Sequence, residues 1–314
     1  MKKWIDTRPR TQNRHVFGLS KTGNQGIWSV VLVEDEKASE SGTLDWPAFS
    51  SGPWPFRTIG EESCIQRTWK LAKLVSSPHQ VMTVMKQAHW GYAWKLLIQE
   101  TLGRVVWQPE NRGNALGAFL PLSYIRSHDP DGIVILWSVG PTGELDDSVF
   151  DRVQAAIARV NQVPDILVGL ECVSNSDDGK EGWDWREGVQ VPQGEMVTYV
   201  PRQHHGHPVM PIPAKRDGLD ERRTVGVLVT RVETLWLAGR RLLPTLLSRL
   251  DALGPVLGTS RERQILSDLY HTTPVETLEA KVFPFLRSQL EIMGLPKPSQ
   301  HRMEANYSNE RVES

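Results

Sequence analysis

The chain has 314 residues, 39 % of them hydrophobic and 23 % charged, a composition that excludes a disordered or fibrous polypeptide and supplies a globular core. Its 36 Lys and Arg against 37 Asp and Glu leave a formal net charge of -1, so no global field draws it to nucleic acid or to an anionic membrane. Only Cys64 and Cys172 are present, outside any C-x-x-C motif, which excludes a disulfide scaffold and points to reduced thiols.

Residues 1–26 read as an irregular, mildly basic arm without the apolar core of a signal peptide. No uncharged apolar run reaches the ~20 residues of a membrane span, so the expected location is cytoplasmic. Trp28 to Val33 (WSVVLV) is the first buried strand, rich in β-branched residues. Trp46 to Gly60, with Pro47, Pro53 and Pro55, reads as loop. Ser63 caps a helix whose Ile65, Thr68, Ala72 and Val75 share a face.

Gln80 to Met85 is a strand, Ala88 to Gln99 a helix, and Arg104 to Gln108 a strand. A helix follows from Gly113 to Arg126, kinked by Pro121. The turn Asp129-Pro130-Asp131-Gly132 leads into the strand Ile133 to Val139. Phe150 to Val160 is helical and Asp165 to Leu170 a strand. This alternation predicts βαβ units and a mostly parallel sheet with helices on both faces.

Glu171 to Asp220 shows little regular pattern and is rich in Gly, Pro and His. Val225 to Thr230 adds a strand, Val232 to Leu250 a helix interrupted by Pro244, and Glu262 to Met293 further helix broken at Pro284. The domain plan is an arm (1–26), an α/β core (27–250), a C-terminal helical region (251–295) and a polar, disordered tail (296–314). The 12 Trp residues serve either as core filler or as stacking surfaces in a cleft.

Several segments carry a resemblance, through their order and spacing. They are Pro109-Glu110-Asn111-Arg112-Gly113 after the third strand, His128-Asp129-Pro130-Asp131-Gly132 before IVILWS, Gly182-Trp183 in KEGWDW, and Leu235 to Leu250 with Arg240, Arg241 and Pro244. Across residues 27–280 the chain resembles the sugar-nucleotide pyrophosphorylases, in particular bacterial mannose-1-phosphate guanylyltransferases. The resemblance implies a Rossmann-like nucleotide-diphospho-sugar transferase fold. It also implies a reaction joining a sugar 1-phosphate to a nucleoside triphosphate with release of pyrophosphate. In such enzymes a glycine-rich loop, a basic residue and carboxylate-held Mg²⁺ neutralise the phosphates.

The matching positions depart from that pattern. After the first strand, Glu34, Asp35 and Glu36 place negative charge where triphosphate oxygens would sit, and the closely spaced glycines are missing. Val139 takes the place of the family's metal-binding Asp, and Val225 that of its second polar residue; a valine side chain offers no oxygen to a hard cation. The family's Glu-Lys-Pro near the sugar phosphate corresponds to Pro201-Arg202-Gln203 or is gone. Arg57, in WPFRT, stands near the family's Lys-Pro segment and is a candidate phosphate contact.

Asn111 and Arg112 are candidate base or phosphate contacts, or else they close the strand-to-helix turn. Gly182 and Trp183 are candidate contacts in the sugar region, and Trp183 and Trp185 could equally pack on the sheet edge. His204, His205 and His207 suit a transition metal as residue types, but their spacing matches no standard metal motif. No catalytic residue is assigned.

The leading expectation is a degenerate guanylyltransferase-like protein without a cofactor. It would bind another protein or a further copy of itself, or sense a nucleotide or sugar phosphate. An active nucleotidyltransferase using Mg²⁺ on Glu144, Asp146 or Asp147 is the first alternative, and an assembly protein with a closed cleft the second.

Overall fold

The computed structural model describes residues 26–33, 53–59, 62–139, 147–174, 188–193, 196–201, 222–253, 256, 259–286 and 289–294. Strand β1 (Ile27–Val33) is followed by a short 3-10 turn at Trp54–Phe56 and the two-residue strands β2 (Thr58–Ile59) and β3 (Glu62–Ser63). Helix α1 (Cys64–Val75) starts where the sequence predicts. There the Gln66 Oε1 accepts from the backbone N–H of Ser63 at 3.0 Å and from its hydroxyl at 2.8 Å. Then come β4 (Val81–Lys86), α2 (Trp90–Gln99), β5 (Arg104–Gln108), α3 (Gly113–His128), β6 (Ile133–Val139), α4 (Asp147–Gln162) and β7 (Leu167–Ser174). The chain continues through β8 (Gly188–Gln193), β9 (Met196–Pro201), β10 (Arg222–Arg231), α5 (Val232–Leu242), α6 (Pro244–Asp251), α7 (Ser260–Thr272), α8 (Leu278–Lys281) and β11 (Leu290–Gly294).

Nine strands form one sheet in the order β5-β4-β1-β6-β10-β7-β11-β9-β8. Its first four strands are mutually parallel. Beyond them β10 runs antiparallel to both β6 and β7, β11 is parallel to β7, and β8 and β9 form an antiparallel hairpin beside β11. The sheet is therefore mixed, with its parallel half at the N-terminal side of the chain.

Two apolar layers cover it. Val31, Val33, Ile135 and Trp137 face α1, α2 and α4 through Ile65, Trp69, Ala93 and Val153. Val30, Leu32, Val134 and Leu136 face α3, α5, α6 and α7 through Phe119, Trp236, Leu247 and Tyr270. The continuous hydrophobic run of β1 follows from burial on both sides. Trp69, Trp137 and Trp236 serve as core filler. The indole N–H of Trp69 donates to Thr83 at 2.9 Å and that of Trp137 to Ser29 at 3.0 Å, which satisfies two buried hydroxyls inside the α1 layer. Cys64 is free and buried.

Two segments differ from the sequence expectation. Leu290–Gly294 is a strand, not helix: its backbone pairs with β7 and β9, and tertiary pairing outweighs the local helical preference of LEIM. Glu291 is buried in that strand and is held by the Arg159 guanidinium through two hydrogen bonds of 2.9 and 2.7 Å. The stretch expected to lack pattern contains the β8–β9 hairpin, and β10 starts at Arg222. As the sequence predicts, Pro121 lies inside a helix that starts at Gly113, and the helical stretch after β10 is interrupted at Pro244, which opens α6 at its first turn, where its missing N–H costs nothing.

No helix among the described residues is long and apolar enough to cross a membrane. The arm up to residue 25, the acidic run Glu34 to Glu36 and the tail from residue 295 lie outside the described residues.

Candidate functional site

The chain leaves β1 by α1 on one face of the sheet and returns to β6 by α3 on the other. That makes the C-terminal end of β1 a topological switch point, where open α/β sheets form ligand crevices. A shallow open cleft with room for about one water lies there, lined by Leu32 and Val33 of β1, Val84 and Lys86 of β4, Gln108 of β5, and Asn111, Gly113, Asn114 and Gly117 at the start of α3. Its floor is apolar and its walls carry one ammonium and three carboxamides. No carboxylate or nucleophile is among these lining residues.

The helix start is built by short-range bonds. Asn111 Oδ1 accepts from Gly113 N–H at 2.8 Å, and Arg112 is drawn to Glu110 by hydrogen bonds of 3.1 and 2.5 Å. Gly113 has φ +82°, and a Cβ there would lie 2.0 Å from the carbonyl oxygen of Glu276. Only glycine fits both the conformation and the approach. That carbonyl accepts from Ala115 N–H at 3.2 Å, Glu276 N–H donates to the Arg112 carbonyl at 3.2 Å, and Leu278 N–H donates to Asn114 Oδ1 at 2.8 Å. The segment after α7 thus clasps the rim of the cleft.

Gln108 is the residue that sequence reasoning missed. It is 6 % exposed, and its Nε2 has no hydrogen-bond partner. Behind it the hydroxyl of Tyr270 is buried and equally unpartnered. Burial pushes the Tyr270 phenol well above its usual range, and the neighbouring Gln108 amide offsets part of that. The two groups are neighbours, yet neither satisfies the other with a hydrogen bond of good geometry. The Gln108 side chain thus bridges the cleft wall and the buried Tyr270 behind it. The available signal was a polar side chain ending a parallel strand immediately before Pro109.

Of the residues singled out in the sequence, Asn111 lines the cleft, while Arg112 and Arg57 do not. Arg57 follows the 3-10 turn, its guanidinium 5.7 Å from the Trp54 ring centre. Val139 ends β6 beside Val33 in register and is 1 % exposed. Val225 lies in β10 opposite Glu171, where the register shifts before Val227. Arg240 and Arg241 sit on the exposed side of α5, as a solvated face.

Among the described residues no group of three His, Cys, Asp or Glu could hold a metal ion, and the buried isopropyl group of Val139 supplies no ligand. The described donor set does not fit Mg²⁺. Gly182, Trp183, Trp185, His204, His205, His207, Glu144, Asp146 and the side chain of Asp147 lie outside the described residues.

No protein-family model and no curated protein sequence matches the chain. Solved structures do. The structure of mannose-1-phosphate geranyltransferase from Thermus thermophilus is 14 % identical, covering 90 % of this chain and 80 % of that one with a TM-score of 0.63. That of mannose-6-phosphate isomerase from Helicobacter pylori is 12 % identical, covering 86 % of this chain and 97 % of that one with a TM-score of 0.53. What is shared at such identities is the architecture: this chain has an α/β fold of the nucleotide-diphospho-sugar transferase type, a mixed central sheet flanked by helices.

Proposed function

We propose that the chain is a mannose-1-phosphate guanylyltransferase-like protein that has lost catalysis and acts as a binding, regulatory or partner subunit, taking a nucleotide or nucleotide sugar such as GDP-mannose in the cleft. The observation that carries this reading is a polar wall of Gln108 and its neighbours over the apolar floor of a switch-point cleft. Lys86, Asn111 and Asn114 share that wall, and carboxamides and an ammonium are groups that bind a polar ring or an anion without transforming it. Two further points support it. Val139 stands at the end of β6 where an oxygen ligand would be needed, and the sequence that follows β1 begins Glu34-Asp35-Glu36, a run whose charge repels a triphosphate.

Calorimetric titration of the full chain with GDP and GDP-mannose tests binding, and pyrophosphate release from GTP and mannose 1-phosphate with Mg²⁺ tests catalysis. The expected result is binding without pyrophosphate. Pyrophosphate above a buffer blank would establish an active enzyme, with Glu144, Asp146 and Asp147 as the residues to substitute first. Absence of binding together with absence of turnover would identify a closed assembly protein.

A further inference from the structure

Arg112 stands at the N-cap of α3, and its side chain makes no capping bond to the helix. A guanidinium carries only donors, so it cannot accept the open N–H groups of the first turn. The missing acceptor comes from residues 274–277, a strap that joins α7 to α8. Its Glu276 peptide bonds the helix start in both directions. The carbonyl accepts from Ala115 N–H and the N–H donates to the Arg112 carbonyl, each at 3.2 Å. Leu278 N–H adds the bond to Asn114 Oδ1 at the end of the strap. Against Gly113 the same peptide lies so close that a Cβ would overlap its carbonyl carbon, oxygen and nitrogen. Gly113 and Asn114 both line the cleft, so the strap is seated on one of its walls, at the rim.

With the strap in place the cleft has room for about one water, whereas pockets for nucleotide-sized molecules measure roughly 300 Å³ or more. A nucleotide enters only if part of the wall moves. Strands β1 and β4 and the body of α3 are buried and close-packed, so they do not yield. The strap can. Pro274 and Val275 are exposed, Val275 to 65 %, so lifting them uncovers little apolar surface. Both bonds of the Glu276 peptide are at the long limit for N–H···O contacts. The segment runs between two fixed points, the end of α7 at Thr272 and the buried Leu278. Few buried contacts between anchored ends mark a segment that opens locally. We propose that residues 274–277 are an autoinhibitory latch on the cleft. Closed, they cap α3 and keep the cleft too small for its ligand; released, they free the Gly113 side of the wall for a nucleotide. The latch rests on the reading of this cleft as a nucleotide site. Strap and ligand exclude one another, so apparent affinity is the intrinsic affinity reduced by the fraction of open molecules.

Calorimetric titration of the full chain with GDP, together with amide hydrogen exchange of the strap, tests the latch. Glu276→Pro removes the N–H that holds the Arg112 carbonyl and sets a ring against it. The strap is then released, and GDP should bind ~10-fold more tightly than to wild type. Glu276→Ala keeps both backbone groups and should bind as wild type does. Saturating wild type with GDP should speed exchange at the Glu276 and Leu278 amides, which a passive surface loop would not do. Should Glu276→Pro disturb the fold, Val275→Gly loosens the strap without removing a donor and should shift affinity in the same direction. Equal affinity in the releasing variant and wild type, or slower exchange of the strap on binding, overturns the latch and leaves the nucleotide site standing. GDP binding to neither wild type nor the released chain overturns the nucleotide site itself, and the latch with it.

Discussion

Asn114, in the first turn of α3, accepts the backbone N–H of Leu278 at 2.8 Å across 164 residues of sequence. One carboxamide thereby joins the rim of the cleft to the segment that follows α7. Asn114→Ala removes the acceptor and leaves a part-buried N–H unpaired, at a cost of about 1–2 kcal/mol. A lowered urea midpoint with unchanged m-value would show it, and ligand affinity should fall in parallel because Asn114 also lines the cleft.

Gly113 and Gly117 are one helical turn apart and should respond oppositely. Gly113→Ala forces a side chain into a positive φ and against the Glu276 carbonyl, so a loss above about 2 kcal/mol is expected. At Gly117 a Cβ meets Gln108 Nε2 and Leu32 at an ordinary 3.7 Å. Gly117→Ala should therefore keep or raise stability by about 0.5–1 kcal/mol while placing a methyl group in the cleft. Urea denaturation and nucleotide titration of both variants separate fold from binding.

Tyr270 gives the protein an alkaline limit. Its phenol and that of Tyr124 are both held above the usual range, chiefly by burial. Their neutral forms are favoured in the folded state. The stability this represents is complete below the unfolded value near 10 and is lost as pH rises beyond it, by about 1.4 kcal/mol per pH unit for each tyrosine. Tyr270→Phe should remove one of the two contributions and halve the slope between pH 10 and 11. It should cost little at pH 7, since the buried hydroxyl it removes makes no hydrogen bond of good geometry and meets only the Gln108 amide. A slope identical to wild type would count against burial of this phenol.

The ion pair between Arg159 of α4 and Glu291 of β11 fastens the strand to the helix above it. The Glu291 side chain is only 9 % exposed. Arg159→Leu leaves that carboxylate unpaired, with an expected cost of about 3 kcal/mol. The double variant Arg159→Leu/Glu291→Leu should recover most of it. If the double variant is as unstable as the single, packing and not charge holds the contact.

The parallel half of the sheet was legible because its strands are short β-branched runs buried on both faces, separated by helices with clear periodicity. Ser63 announced α1, and the turn at Asp129 announced β6; the Asp129 carboxylate in fact accepts from the Trp28 indole N–H at 2.9 Å. β11 was not legible. Its five residues pair with strands distant in sequence, and nothing local distinguishes LEIM from a helical turn. At the site, Asn111 was visible from its loop, whereas Gln108 reads as an ordinary strand end until Tyr270 is seen beside it. Arg112 drew attention as a cation, but Glu110, two residues away, occupies it.

The position of α7 along β5 has a separate meaning for handling and for evolution. Glu262 near its start accepts from Arg104 at 2.9 Å and from the Tyr124 hydroxyl at 2.6 Å, and Tyr270 near its end stands by Gln108. Although β5 is the last strand of the sheet, Val106 and Gln108 are only 8 % and 6 % exposed. The helix is thus fastened to both ends of β5 and to α3, and packs with Leu269 and Tyr270 on the α3 face of the sheet. Proteolysis or truncation that strips residues 260–272 would therefore do more than loosen the cleft: it would open the apolar layer that Leu269 and Tyr270 close and leave a molecule prone to aggregate through its own core.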